Sequence, residues 1–75
     1  MTLREMKPGE VCTVSAIAEG DSALRSRIFD MGVTPGVKLK MIKTAPLGDP
    51  VEIVIRGYNL SLRKKEAEII NVTKE

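Results

Sequence analysis

The apolar positions change period along the chain. Val37, Leu39 and Met41 interleave with Lys38 and Lys40, a two-residue period that predicts a strand with one face in water. Val51, Ile53 and Ile55 alternate in the same way with Glu52, Val54 and Arg56. Between the two runs, the proline- and glycine-marked segment Ala45-Pro46-Leu47-Gly48-Asp49-Pro50 predicts a hairpin loop. Upstream, Glu10 to Ile17 is rich in β-branched residues and follows the Lys7-Pro8-Gly9 turn signal, so it reads as a first strand. Leu24, Ile28 and Met31 are instead spaced by four and three, which places them on one helical face behind an N-cap at Asp21 or Ser22. Arg25, Ser26 and Asp30 fall mostly on the wet side, and Gly32 suits the positive-φ position that ends a helix.

Pro35-Gly36 and Gly57-Tyr58-Asn59 read as turns, Leu60 and Leu62 as a brief fourth strand, Arg63 to Ala67 as one helical turn, and Ile69 to Val72 as a fifth strand. Five short strands with one helix after the first leave too little chain for two separate sheets. The expected fold is mostly β, a small five-stranded, partly closed barrel forming a single domain over residues 1–75. Curling removes most of the exposed sheet edge. Leu24, Ile28 and Phe29 are expected to cover one open end. The expected core is Val14, Ile17, Leu24, Ile28, Val37, Leu39, Met41, Ile53, Ile55, Leu62, Ile69 and Val72.

Length sharpens this picture. A domain of 75 residues buries only about 60% of the surface its unfolded chain exposes, so nearly every apolar side chain is needed for the core and little remains for a deep catalytic cavity. The apolar runs are a few residues long, far short of the roughly 20 a membrane-spanning helix needs. Met1 to Met6 has no long apolar segment, so no secretory signal is expected and the cytoplasm is the expected compartment. Twelve basic against ten acidic residues are spread evenly, with no charged arm.

The reactive inventory excludes most chemistry. There is one cysteine, Cys12, and no histidine, too few ligands for a structural zinc or iron–sulfur site. Cys12 lies in a predicted strand and reads as a small core residue. Glu10, Glu19, Asp21, Asp30, Asp49, Glu52, Glu66 and Glu68 form no ligand-spaced motif, so neither a metal site nor a cofactor is expected. No phosphate-binding loop of the form GxxxxGK[ST] is present, and nucleotide hydrolysis is excluded on that ground. Phe29 and Tyr58 are the only aromatics, which disfavours both a proline-peptide groove and base stacking. Lys38, Lys40, Lys43 and Arg63-Lys64-Lys65 read as a solvated face, with phosphate contacts as the alternative. The expected activity is binding, not catalysis.

The most suggestive feature is Leu47 in the Pro46-Leu47-Gly48-Asp49-Pro50 loop. It either folds back on the barrel or projects as an anchor for a partner groove, with Phe29 or Met31 enlarging the patch. Arg56 and Tyr58 are further contact candidates, being residue types enriched at interface cores; otherwise they are a surface charge and a turn-packing ring.

Three segments together carry a resemblance that spans nearly the whole chain. They are Arg27-Ile28-Phe29-Asp30-Met31-Gly32-Val33-Thr34-Pro35-Gly36, Ala45-Pro46-Leu47-Gly48-Asp49-Pro50, and Ile55-Arg56-Gly57-Tyr58-Asn59-Leu60-Ser61-Leu62-Arg63-Lys64-Lys65-Glu66-Ala67. The sequence resembles the FeoA family of small cytosolic accessory proteins of bacterial ferrous iron transport. Ile28, Phe29, Met31 and Val33 stand where the family often has leucine, and each keeps the apolar character. The resemblance implies an SH3-like barrel with a helical insertion, and a role supporting the FeoB iron permease and its cytosolic GTPase domain. A similar domain also ends DtxR-type metal-dependent repressors, but their DNA-binding helices and metal ligands are absent here. One way to act on such a partner would be an arginine, Arg27 or Arg56, entering its nucleotide site in trans. The competing class is a stand-alone nucleic-acid-binding barrel.

Overall fold

The computed structural model describes all residues, Met1–Glu75. Five strands, β1 (Val11–Ile17), β2 (Lys38–Thr44), β3 (Val51–Ile55), β4 (Tyr58–Leu62) and β5 (Ile70–Lys74), form one antiparallel sheet in the order β4-β3-β2-β1-β5. Helix α1 (Ser22–Asp30) follows β1, and a short α2 (Lys64–Ile69) joins β4 to β5. Register shifts between Val14 and Ala16 in β1 and between Met41 and Lys43 in β2 mark bulges, which sharpen the local twist and help the sheet curl. This is the mostly β, five-stranded architecture expected, with the helix in the expected place.

The alternation does what a half-wet strand requires. Leu39 and Met41 on β2, and Val51, Ile53 and Ile55 on β3, are buried while the intervening lysines of β2 are exposed. At full burial each such side chain contributes about 1.5–3 kcal/mol. Ile42, the extra residue of the β2 bulge, faces outward at 39% exposure, and Lys43 after it is exposed as well, so the alternation breaks just past the bulge.

Helix α1 starts where Asp21 Oδ1 accepts from the N–H groups of Ala23 and Leu24 at 3.0 and 3.2 Å. It stops through two short-range bonds, Gly32 N–H to the Phe29 carbonyl at 3.0 Å and Val33 N–H to the Ile28 carbonyl at 3.2 Å, with Gly32 at φ +86°. Ile28 and Val33, which that turn brings together, are both fully buried, so the helix end is sealed by a hydrophobic contact as well as by its bonds.

Several expectations change. Phe29 does not cover the barrel end: it is 38% exposed, with the Arg25 guanidinium 5.7 Å from its ring centroid. Leu24, Val37 and Ile69 pack against the core without being buried in it. Helix α2 runs two residues past the expected turn, through Ile69, so the fully buried residue opening β5 is Ile70. The turn expected at Gly57-Tyr58-Asn59 lies earlier: Arg56 and Gly57, at φ +52° and +83°, make a two-residue hairpin turn, and Tyr58 and Asn59 already belong to β4. Positive φ at both central residues matches the right-handed twist of the strands it joins.

Leu3 and Met6, absent from the expected core, are 0% and 3% exposed. The 3-10 turn Leu3–Glu5 packs on α2, and the backbone just before it extends the sheet past β5: Thr2 bridges Asn71, and the Val72 N–H donates to the Met1 carbonyl at 2.9 Å.

Candidate functional site

The loop between β2 and β3 is built to hold one side chain outward. The Gly48 N–H donates to the Ala45 carbonyl at 2.7 Å and the Ala45 N–H to the Pro50 carbonyl at 3.1 Å, closing a turn in which Pro46 pre-sets the backbone and Leu47 takes the tip. Asp49 Oδ1 accepts from the Lys64 N–H at 3.1 Å, which moors the loop to the start of α2. Leu47 is 87% exposed. Of the two readings of its sequence, projection holds.

Leu47 forms one lip of an open groove of about 710 Å³ whose other residues include Arg4, Glu5, Met6, Thr44 and Val51. Its charged side chains are engaged within the chain. Arg4 is 3.1 Å from Glu68 Oε2, and Glu5 Oε2 accepts from the Thr2 N–H at 2.6 Å. The groove is lined mostly by polar residues, with Met6, Leu47 and Val51 its apolar members, and it contains no cysteine or histidine. Sequence reasoning missed its N-terminal wall because Thr2 to Met6 is too short to show any period.

The other candidates gather elsewhere. Tyr58 Oη donates to the Met31 carbonyl at 2.5 Å, so the ring is a strut between β4 and the end of α1. An added Cβ on Gly32 would meet Tyr58 Oη at 3.3 Å and Arg56 at 3.9 Å. Met31, Gly32, Arg56 and Tyr58 thus form one cluster. It sits at the far end of β3 from Leu47, roughly 15 Å away at about 3.3 Å per strand residue. Met31 consequently does not enlarge the Leu47 patch, and Phe29 is not among the residues lining the groove.

Arg27 is engaged rather than free. Its Nε lies 2.8 Å from Glu66 Oε2, with Arg27 half exposed and the Glu66 side chain 1% exposed. The Nε–H does not point at that oxygen, which has no hydrogen-bond donor, so the contact is an ion pair without hydrogen-bond geometry. Oε1 accepts from the Arg63 N–H at 2.8 Å. The pair couples α1 to α2. A buried glutamate was not foreseen, because within Arg63-Lys64-Lys65-Glu66 it looks like one more member of a solvated charge run.

Cys12 is fully buried, and burial, followed by the negative charges of Glu75 and Glu10, pushes its thiol up to about 11. At neutral pH it is a protonated core residue with little nucleophilic character. Glu10 is held below the usual carboxylate range, chiefly by Lys74 and then by the Lys7 N–H. No three histidine, cysteine, aspartate or glutamate side chains converge as metal ligands. No helix is long and apolar enough to cross a membrane.

The FeoA domain model matches residues 1–74. The chain is 38% identical over 72 residues to an Fe(2+) transport protein A/Fe(2+) transporter FeoB fusion protein of Porphyromonas gingivalis, covering 96% of this chain but only 8% of that protein. Among solved structures, the FeoA protein of Chlorobium tepidum is 42% identical with a TM-score of 0.86, over 99% of this chain and 70% of that one. The Stenotrophomonas maltophilia FeoA, described as an SH3 domain protein and solved with zinc, matches in fold with a TM-score of 0.84 at 24% identity, over 97% of this chain and 89% of that one. The fold is accordingly SH3-like, and the chain belongs to the FeoA domain family, which is linked to ferrous iron transport.

Proposed function

We propose that this chain is a cytosolic docking module that binds a FeoB-type ferrous iron permease, at the part carrying its GTPase domain, and catalyses nothing itself. The observation that carries this reading is Leu47, a large apolar side chain held 87% exposed by a hydrogen-bonded turn that is itself moored to α2. Burying such a side chain in a partner yields about 1.5–3 kcal/mol, and its pre-set position lowers the ordering cost of binding. The P. gingivalis relative, in which an FeoA-like segment and FeoB share one chain, supports FeoB as the partner.

A module of this kind acts on transport only by binding one partner conformation better than another. Arg27 is a poor candidate for insertion into the partner's nucleotide site, since withdrawing it would strand the buried Glu66 carboxylate. Arg56, exposed at a turn, carries no such cost.

Co-purification with tagged FeoB tests the reading. Recovery is expected with the natural chain and to fall about 30-fold in affinity with Leu47→Arg, the equivalent of about 2 kcal/mol. Phe29→Ala is expected to cost less. Equal recovery of the natural chain and Leu47→Arg would remove Leu47 from the contact, and no recovery of either would remove FeoB as the partner. Binding to DNA or RNA that collapses with added salt would instead favour the nucleic-acid class.

A further inference from the structure

The two edges of the sheet are treated differently. Beyond β5 the chain lays its own residues, with Thr2 bridging Asn71 and the Met1 carbonyl accepting from Val72. Beyond β4 no strand follows: β4 pairs only with β3. In the two-residue hairpin through Arg56-Gly57, Ile55 faces Tyr58, Ile53 faces Leu60 and Val51 faces Leu62, and these are the hydrogen-bonded pairs. The backbone groups of Asn59 and Ser61 therefore point away from the sheet, and both residues are exposed. The usual protections of an edge, a proline, a lysine or a bulge within the strand, are all absent from Tyr58-Asn59-Leu60-Ser61-Leu62.

The protection lies at the ends. Arg56 precedes the strand and Arg63-Lys64-Lys65 follows it, and none of these four side chains is among the ion pairs of the molecule. Among the acids close in sequence to the strand, Glu52 lies 3.4 Å from Lys43, Glu66 is held by Arg27, and Asp49 accepts from the Lys64 N–H. If two copies paired antiparallel through their β4 edges about Leu60, Arg56 of each would lie opposite Lys64 of the other. Like charges directly opposed across strands are destabilising. The arrangement repels a second copy and attracts an extended strand with acidic ends.

We propose that the β4 edge is a strand-addition site for an extended segment of the partner protein carrying acidic residues on both sides of an uncharged centre. The segment pairs with the outward N–H and C=O groups of Asn59 and Ser61, and its acidic ends meet Arg56 and Arg63. This rests on the docking reading and gives it a second contact, at the opposite end of β3 from Leu47.

Amide exchange on the natural chain with the cytosolic portion of FeoB is the test. The amides of Asn59 and Ser61 exchange freely in the free chain and become protected in the complex. Ser61→Pro removes an outward N–H that an edge strand does not need, and is expected to weaken binding about tenfold. Arg56→Glu with Arg63→Glu, which leaves the backbone intact, weakens it similarly and flattens its salt dependence. If FeoB binds while both variants bind as the natural chain does and the two amides stay open, the edge is not the site although docking stands. If FeoB does not bind the natural chain, a synthetic peptide of alternating valine and threonine with glutamate at both ends tests the edge alone. Protection by it, and not by the same peptide ending in lysine, supports the site, and no protection overturns it. Protection of the two amides in the free chain at high concentration would show a second copy as occupant and also overturn it.

Discussion

Helix α1 and the β2–β3 loop both carry residues that the sequence marks as contact candidates, yet the fold uses them in opposite ways. On the helix side, Arg27 reaches the buried Glu66, the Met31 carbonyl accepts from Tyr58, and Gly32 turns the chain in a conformation that favours glycine. Each of these residues is occupied in holding the helix against the sheet and α2. In the loop the polar contacts are made by backbone and by Asp49, and Leu47 is left with nothing to hold. The contrast separates residues that make the shape from the one the shape presents, and it makes opposite predictions for mutation.

The largest effect belongs to Arg27. Replacing it with alanine leaves the Glu66 carboxylate buried beside no cation, a loss that reaches 3–5 kcal/mol for fully buried pairs; with Arg27 half exposed, about 2 kcal/mol is expected. In a domain of this size that lowers Tm by roughly 10 °C. Adding Glu66→Gln is expected to recover part of the loss, since no charge is then stranded. A double variant less stable than Arg27→Ala alone would show that the ion pair is not what couples the helices.

Gly32→Ala comes next. The left-handed backbone costs about 1–2 kcal/mol for a residue with a Cβ, and the new atom would stand 3.3 Å from Tyr58 Oη. Tyr58→Phe is smaller, about 0.5–1 kcal/mol, because the Met31 carbonyl it releases is partly solvated. The two changes share an atom and should not add: with Tyr58→Phe already present, Gly32→Ala is expected to cost less in a denaturant titration. Strict additivity would mean that the hydroxyl yields without strain.

The same contrast explains what was readable in the sequence. Long-period signals survived: the Val37, Leu39, Met41 alternation gave β2, and the spacing of Leu24, Ile28 and Met31 gave α1. Features set by a single local or long-range contact did not. Arg56 in a left-handed turn moved Tyr58 from the turn into β4. Glu66 carries no sign of burial, because its partner lies 39 residues away in the chain (66 minus 27). Phe29 is expected to cover the open end of the barrel with Leu24 and Ile28, but a helix of nine residues presents only a narrow stripe, and on it Ile28 is the one that is fully buried. Leu47 could be located but not oriented, since its exposure depends on the turn bond from Gly48 to Ala45 and on Asp49 finding α2.

Leu47→Ser is expected to change stability by no more than about 0.5 kcal/mol, the smallest effect of the set and the most discriminating. A side chain that is 87% exposed gives up almost no buried area when shortened, so the denaturant midpoint should hold while affinity for FeoB falls. A change that is silent in folding and costly in binding assigns the side chain to the partner. If Leu47→Ser instead lowers the midpoint as much as Tyr58→Phe does, then in solution the loop folds its leucine onto Met6 and Val51 across the groove. The two regions would then differ in degree only, with the loop leucine counted among the residues that make the shape.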